Sequence, residues 1–286
     1  MKSPSKKSIN FFIVLLLVIV LGFTLNQIFQ QPQDGILVDF LNVGQGDAAI
    51  IKTPAGQNVL IDGGPSDEVI SRLDRLIPFY RRKLDAVILT HPHADHLTGL
   101  IKVVDSYSIE TFYMTGVVYD TPEYQQLLEK LKTNKIPIKT VVSGDKLVFD
   151  SEIRLDFIYP AESLQEKTLE NVNNSSIVTR LVWGESSVLF TGDLEKDKLN
   201  TLDRSSVKSD VLKVPHHCSS DGIDEKFIAA VSPRYAVISV GRDNVFGHPS
   251  SSCSNLLKGI QVYRTDQDGD ITFMMQKDTI RPLRLK

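Results

Sequence analysis

The chain has 286 residues, of which 42% are hydrophobic and 23% charged, which is enough apolar content for a packed core and argues against a disordered chain. Its formal net charge is −3, and setting aside the three charges of Lys2, Lys6 and Lys7, which precede every acid, leaves −6 after residue 30. That balance excludes a global electrostatic pull on polyanions and leaves any nucleic-acid binding to a local patch.

Chain order begins with those lysines, followed by an apolar run over residues 11–23 broken only by Gly22. A basic flank before an apolar block is an export pattern. Residues 24–30 offer no pair of small residues for a signal peptidase, and 9–25 gives a stretch near the lower limit for spanning a bilayer. The expectation is a single-pass signal anchor over 1–30, with the lysines inside and a hydrolase domain over 31–286 outside the cell membrane, or a secreted domain if the segment is cleaved. No cysteine stands directly after the apolar run, which excludes a lipoprotein anchor.

A polar linker over 30–35 leads into alternating strands at 36–42, 48–52 and 58–61, a helix at 67–77 and a buried strand at 85–90. Helices follow at 98–105 and 121–134, the second opening Thr-Pro-Glu, then strands at 140–142, 146–149 and 153–158. After a polar loop at 161–174, strands at 176–183, 187–191, 211–214 and 236–240 interleave with a helix from Leu194 and one at 224–231. Strands and helices interleaved in two halves indicate α/β layering, sheets inside and helices outside.

The chemistry concentrates in Thr90-His91-Pro92-His93-Ala94-Asp95-His96, directly after the apolar Val87-Ile88-Leu89. A loop at the carboxyl end of a strand is where α/β folds carry their sites. His91 and His93 can face one point from an extended segment, and Asp95 with His96, at a helix start, can face a second. Imidazoles with a carboxylate form the ligand set of zinc and neighbouring transition metals. Three further strand ends carry candidates: Asp193 after Leu189-Phe190, His216 and His217 after Val211-Leu212-Lys213-Val214, and His248 in Gly247-His248-Pro249. All six histidines thus lie at or just beyond strand ends, which is hard to reconcile with scattered surface or core histidines.

These residues resemble the metallo-β-lactamase superfamily, and within it the extracellular hydrolase domain of ComEC-type competence proteins. The resemblance spans Ile36 to about Met275. It rests on Asn42-Val43-Gly44-Gln45-Gly46-Asp47-Ala48, Leu60-Ile61-Asp62-Gly63-Gly64, the histidine loop, Asn173-Asn174-Ser175-Ser176, Thr191-Gly192-Asp193, Lys213-Val214-Pro215-His216-His217 and the segment ending Gly247-His248-Pro249. It implies an αββα sandwich preceded by one N-terminal apolar helix, with two divalent metal ions at one edge, zinc in the first place and manganese as the alternative. His91 and His93 would hold one metal and Asp95 with His96 the other, Asp193 would bridge them, and His248 would complete the second site. Asp62 would orient the histidine loop, or be a plain strand-end turn residue, and Asp47 would support the site through its glycine turn.

Two departures stand out. No histidine occurs between His96 and His216, where many members carry a ligand. Since adjacent residues on an extended segment point apart, only one of His216 and His217 is expected to reach a metal; His216 is assigned to metal, and His217, with Asp95, to catalysis. The competence pattern also has glycine after the paired histidines, where this chain has Cys218. If His216 and His248 converge, Cys218 and Cys253 become neighbours that can form a disulfide outside the membrane; the alternative is two unrelated small residues.

A two-metal centre suits in-line hydrolysis of a phosphodiester. The expected function is a phosphodiesterase or nuclease linked to DNA uptake, with a separate competence channel protein as partner, since one apolar segment cannot form a pore. Rivals are hydrolysis of another extracellular phosphodiester, such as teichoic-acid phosphocholine, and a non-enzymatic surface binding domain. Arg72, Arg75, Arg81, Arg82 and Lys83 form the densest basic cluster, either a patch for DNA or a solvated helix face.

Overall fold

The structure, a computed structural model, describes residues 6–29 and 35–283; Lys2 and all but Gly35 of the linker expected at 30–35 lie outside them. The first half runs α1 (Lys6–Phe29), β1 (Ile36–Phe40), β2 (Ala49–Lys52), β3 (Asn58–Ile61), α2 (Glu68–Leu76), β4 (Lys83–Leu84), β5 (Ala86–Ile88), α3 (Ala94–Ser106), β6 (Ser108–Ile109), β7 (Phe112–Met114), α4 (Pro122–Thr133) and β8 (Ile138–Thr140). The second runs β9 (Lys146–Val148), β10 (Ile153–Tyr159), β11 (Val178–Trp183), β12 (Ser186–Phe190), α5 (Lys196–Leu199), α6 (Arg204–Val207), β13 (Val211–Lys213), α7 (Glu225–Val231), β14 (Tyr235–Ile238), α8 (Ser251–Leu256), β15 (Gln261–Arg264), α9 (Thr265–Asp268), β16 (Ile271–Gln276) and β17 (Thr279–Leu283).

Two sheets result, in strand order β17-β16-β1-β2-β3-β5-β7-β8 and β15-β14-β13-β12-β11-β10-β9. Each is antiparallel at one side and parallel at the other: β3, β5, β7 and β8 in the first, β12 to β15 in the second. The strands have period two, so neighbouring residues enter different layers. Ile51, Val59, Ile88, Val188 and Val211 lie in the core between the sheets. Ile50, Leu60 and Val87 pack instead on α2, α3 and α4, and Leu189, Leu212 and Ala236 on the helices of the second half. This is the expected αββα sandwich. Phe40 ties the layers together, its ring 5.7 Å from Phe190 and 6.2 Å from Phe273, all three fully buried. Truncating any of them to Ala costs about 3–5 kcal/mol.

Two sequence expectations shift. The helix expected to start at Asp95 and His96 and continue over 98–105 begins one residue earlier, at Ala94. The strand expected over 176–183 starts at Val178, after a single 3-10 turn at Val172–Ser175. The described apolar side chains of α1 from Phe11 to Phe23 are exposed. Among the described residues no helix is long and apolar enough to cross a membrane.

Candidate metal centre

Every candidate arrives from the carboxyl end of a parallel strand or the loop beyond it: Asp62 from β3, the histidine loop from β5, Asp193 from β12, and His216 and His217 from β13. His248 lies in the loop after β14. Backbone contacts then fix the start of α3. Asp47 N–H donates to Asp95 O (3.2 Å), Gly63 N–H to His96 O (2.7 Å), and Gly99 N–H to Gly64 O (3.0 Å). The approach leaves no room for side chains: a Cβ on Gly46 would stand 2.2 Å from Asp95 O, and one on Gly99 2.0 Å from Gly63 O. The glycine-bearing motifs thus act as a clamp on the helix that carries Asp95 and His96.

Three imidazoles are held by one nitrogen and present the other. His217 Nδ1 lies 2.8 Å from the carbonyl of Ser239, which can only accept, so Nδ1 carries the proton and Nε2 points inward. His96 Nδ1 lies 2.8 Å from Asp62 Oδ2, and its Nε2, fully buried, has no hydrogen-bond partner. Asp62 also accepts from Thr90 N–H and Thr90 Oγ1–H, both at 2.8 Å. Because Thr90 spends its proton on Asp62, its oxygen accepts from His91 Nδ1 at 3.1 Å, which turns His91 Nε2 inward. Such outer contacts are how proteins fix the tautomer of a metal-ligating histidine.

The inward atoms meet. Ligand atoms of Asp95, His96, Asp193 and His217 all lie within 4.8 Å of one another. Asp193 Oδ2 stands 3.3 Å from His96 Nε2, 3.5 Å from His217 Nε2, and 3.9 Å from both His91 Nε2 and His216 Nε2, while Asp193 Oδ1 is buried without a partner. His93 Nδ1 is 3.1 Å from His91 Nε2. His248, held through Asn244, lies farther out, its ring 5.9 Å from that of His216 and 6.2 Å from that of His217.

The paired histidines correct one sequence argument. The segment is not extended: Pro215–Cys218 is a turn in which His216, His217 and Cys218 have φ of 49°, 51° and 65°. The left-handed turn lets both rings face Asp193, where an extended backbone would have sent one away. His217 is buried, whereas the His216 side chain keeps 26% of its exposure. Left-handed φ costs about 1–2 kcal/mol per non-glycine residue. Tertiary contacts hold the turn: Ser219 N–H donates to His216 O (2.8 Å), Ser250 N–H to Cys218 O (2.9 Å), and Cys218 is joined to Cys253 by a disulfide with Cα atoms 5.5 Å apart.

Charge follows the same plan. Burial pushes His91 below the ordinary imidazole range, keeping it neutral. Burial opposes charge on His96 and His217 too, but the carboxylates around them outweigh it, raising His96 well above that range and His217 to about 10. Burial alone would raise Asp193, yet His217 and His96 hold it well below the usual carboxylate range. A pocket that draws protons onto imidazoles with its carboxylates is one that suits divalent cations. Sequence reasoning missed Lys213, buried against Asp47, which lies 3.3 Å from His217 Nδ1. Its signal was a lysine inside an otherwise apolar buried strand. Within the basic cluster, Arg72 on α2 pairs with Glu68 and Asp270, Arg82 with Asp74, and Lys83 on β4 with Asp85 and Glu110.

Two face-to-face sheets flanked by helices, with buried histidines and aspartates gathered at the ends of parallel strands, define an αββα protein with a metal-binding edge. The sequence matches the metallo-beta-lactamase superfamily over residues 41–242, and the chain belongs to that family, whose members are metal-dependent hydrolases. It is 32% identical over 259 residues to ComE operon protein 3 of Bacillus subtilis, covering 82% of this chain and 32% of that one. It is 26% identical to Competence protein ComA of Neisseria gonorrhoeae, covering 89% and 34%. The chain spans about a third of the length of these curated relatives. In fold it is similar to YhfI of Bacillus subtilis (TM-score 0.53, 16% identity, 87% of this chain and 99% of that one). It is likewise similar to the diiron β-hydroxylase CmlA of Streptomyces venezuelae (0.54, 15%, 88% and 55%).

Proposed function

We propose that this chain is a two-metal phosphodiesterase or nuclease that acts on nucleic acid outside the cell membrane. The observation that carries the reading is the set of three imidazoles, His91, His96 and His217, each tied by Nδ1 so that Nε2 faces the buried carboxylate of Asp193. His91, His93 and Asp193 would hold one ion, and Asp95, His96, Asp193 and His217 the other, with His248 as the outermost candidate ligand. Zinc suits this nitrogen and carboxylate set, with manganese as the alternative. A divalent pair supplies Lewis acidity and lowers the pKa of water, the chemistry that hydrolysis of a phosphodiester needs.

The residues divide the remaining work. Asp62 and Thr90 keep the histidine loop aimed, and Asp47 with Ser239 does so for His217. His216, partly exposed on the open side of Asp193, is positioned to give a proton to the departing oxygen. The sequence reading gave the metal to His216 and proton transfer to His217; the geometry favours the exchange.

Relatives named for competence support DNA as the substrate context. The Cys218–Cys253 disulfide supports an oxidising compartment, as cytosolic thiols stay reduced. With the lysine-led apolar segment, it supports an anchor over 1–30 and a hydrolase domain over 31–286, working beside a separate channel protein. The purified protein, loaded with zinc or manganese, should cleave a labelled single strand and stop on chelation; Asp193→Asn should do neither cleavage nor stoichiometric metal binding. Full metal occupancy in that variant, or no cleavage by the loaded parent, sinks the reading. Membrane retention through a high-salt wash, with the domain open to external protease, tests the location; a soluble form starting near residue 30 would show cleavage instead.

A further inference from the structure

The metal centre is crossed by a continuous run of rings. Tyr119 packs edge-on against His93 at 5.8 Å, and His93, His91, His96, His217 and His248 follow at centroid distances of 4.8, 4.2, 5.5 and 6.2 Å. The run ends at Phe246, stacked on His248 at 5.9 Å with an interplanar angle of 25°. Its two outermost members are therefore aromatic residues that ligate nothing, one on each side of the candidate ligands. Phe246 is 66% exposed, next to Val245, which is 92% exposed, on a loop whose backbone is braced by Asn244. An apolar ring held on the rim of a charged site, beside a second exposed apolar residue, offers a surface to a ligand.

Tyr119 has a second property. It lines a cavity of ≈ 520 Å³ between the strand ends of β7 and β8 and helix α4, shared with Val118, Tyr124, Gln125, Leu128 and Gln165. Its volume is in the range of small-molecule sites. Among the described residues the lining carries no lysine or arginine and includes Asp120 and Glu166, so it repels a phosphate. What fits beside a phosphate-binding metal centre yet avoids carrying charge is a flat, neutral group with polar edges, for which the Gln125 and Gln165 amides supply partners.

We propose that Tyr119 and Phe246 are stacking platforms for the two nucleobases that flank the attacked phosphate, the Tyr119 base entering the cavity, and that they restrict the substrate to single strands. The assignment rests on the phosphodiesterase reading and deepens it. Bases offer their faces only when unstacked and unpaired, so a duplex cannot occupy both platforms at once. Stacking is indifferent to which base is present, so recognition is by strand state and not by sequence.

The test uses the full chain loaded with zinc and three probes: a short labelled oligothymidylate, its abasic counterpart, and the same length of duplex. Binding is read by anisotropy and cleavage on gels. Tyr119→Ala and Phe246→Ala should each weaken oligothymidylate binding by about ten-fold more than they weaken abasic binding, and Tyr119→Phe should restore it. Phe246 is exposed, so its variant keeps the test alive if Tyr119→Ala fails to fold. Equal losses on the two single-stranded probes, or parent binding of duplex as tight as of oligothymidylate, overturns the proposal. Cleavage of the strand with no effect of either variant also overturns it while leaving the phosphodiesterase reading standing. Aromatic-dependent binding without cleavage does the reverse, and a parent that binds no oligothymidylate ends both.

Discussion

The two histidine segments reach the same point by opposite routes. The segment after β5 uses ordinary backbone: an extended stretch carries His91 and His93, then the first turn of α3 presents Asp95 and His96. Its supports, Asp62 and Thr90, are side-chain hydrogen bonds made by neighbours in the same half of the fold. The segment after β13 uses three successive left-handed residues, none of them glycine. It is held from a distance, by Cys253 and Ser250 on and before α8, by Ser239, and by Asp47 from the other sheet. One segment is stable by local preference; the other is strained, and its geometry is on loan from the tertiary structure. Strain of this kind collects where function demands an orientation that local preference would not give.

The comparison breaks most visibly at the ligands. His93→Ala, His96→Ala and His217→Ala should each bring hydrolysis to background and lower bound metal while leaving the far-UV circular dichroism intact, since both sheets are built elsewhere. Full metal content in His217→Ala with metal lost in His216→Ala would return the ligand role to His216.

Next come the two aspartates that orient the imidazoles. Asp62→Asn should weaken metal affinity about 10- to 100-fold with little change in melting temperature. Asp47→Asn should weaken it similarly and also destabilise the domain by about 3–5 kcal/mol, because it leaves the buried Lys213 ammonium unpaired. Restored stability in Asp47→Asn combined with Lys213→Met would confirm that cause; no recovery would refute it.

The disulfide separates constraint from strain. Cys218→Ser with Cys253→Ala should cost about 2–4 kcal/mol, read by denaturant melts. Cys218→Gly with Cys253→Ala should melt higher than that pair by about 1 kcal/mol, since glycine takes φ near 65° without penalty. Identical melts would show that residue 218 carries no backbone strain.

The smallest effect is on pH. His217 is raised from its ordinary 6.5 to about 10, burial opposing and Asp193 with Asp47 prevailing, so the metal-free protein gains stability from its protonation. That gain is complete below pH 6.5 and is lost as pH climbs toward 10. Melting temperature of the chelated protein should therefore fall over this window, and fall less when metal takes the inward Nε2 in place of the proton. Parallel profiles with and without metal would argue against His217 as a ligand.

What could be read without coordinates was whatever local chemistry writes into the chain. Alternating apolar residues named most strands, and a Val87-Ile88-Leu89 strand running into the histidine loop named the main site. The glycine turn before Asp47 was read as a support of the site, and the order of the motifs carried the resemblance that implied an αββα sandwich. The start of α3 was read within a residue, at Asp95 and His96 where the structure has Ala94. The second segment was out of reach. An extended continuation of β13 was the natural expectation, since positive φ is uncommon for any residue but glycine. The turn exists because a disulfide closing 35 residues, a carbonyl on β14's exit and a carboxylate from the opposite sheet all act on it at once. Of these only the disulfide was open to the sequence, through the placement of Cys218 and Cys253 beside site histidines; the other two leave no periodicity or spacing to read. Sequence therefore determined which residues gather at the edge of the sandwich, and tertiary structure alone decided that two adjacent imidazoles both face Asp193, one buried and one partly exposed, and which aromatic rings stand at the rim.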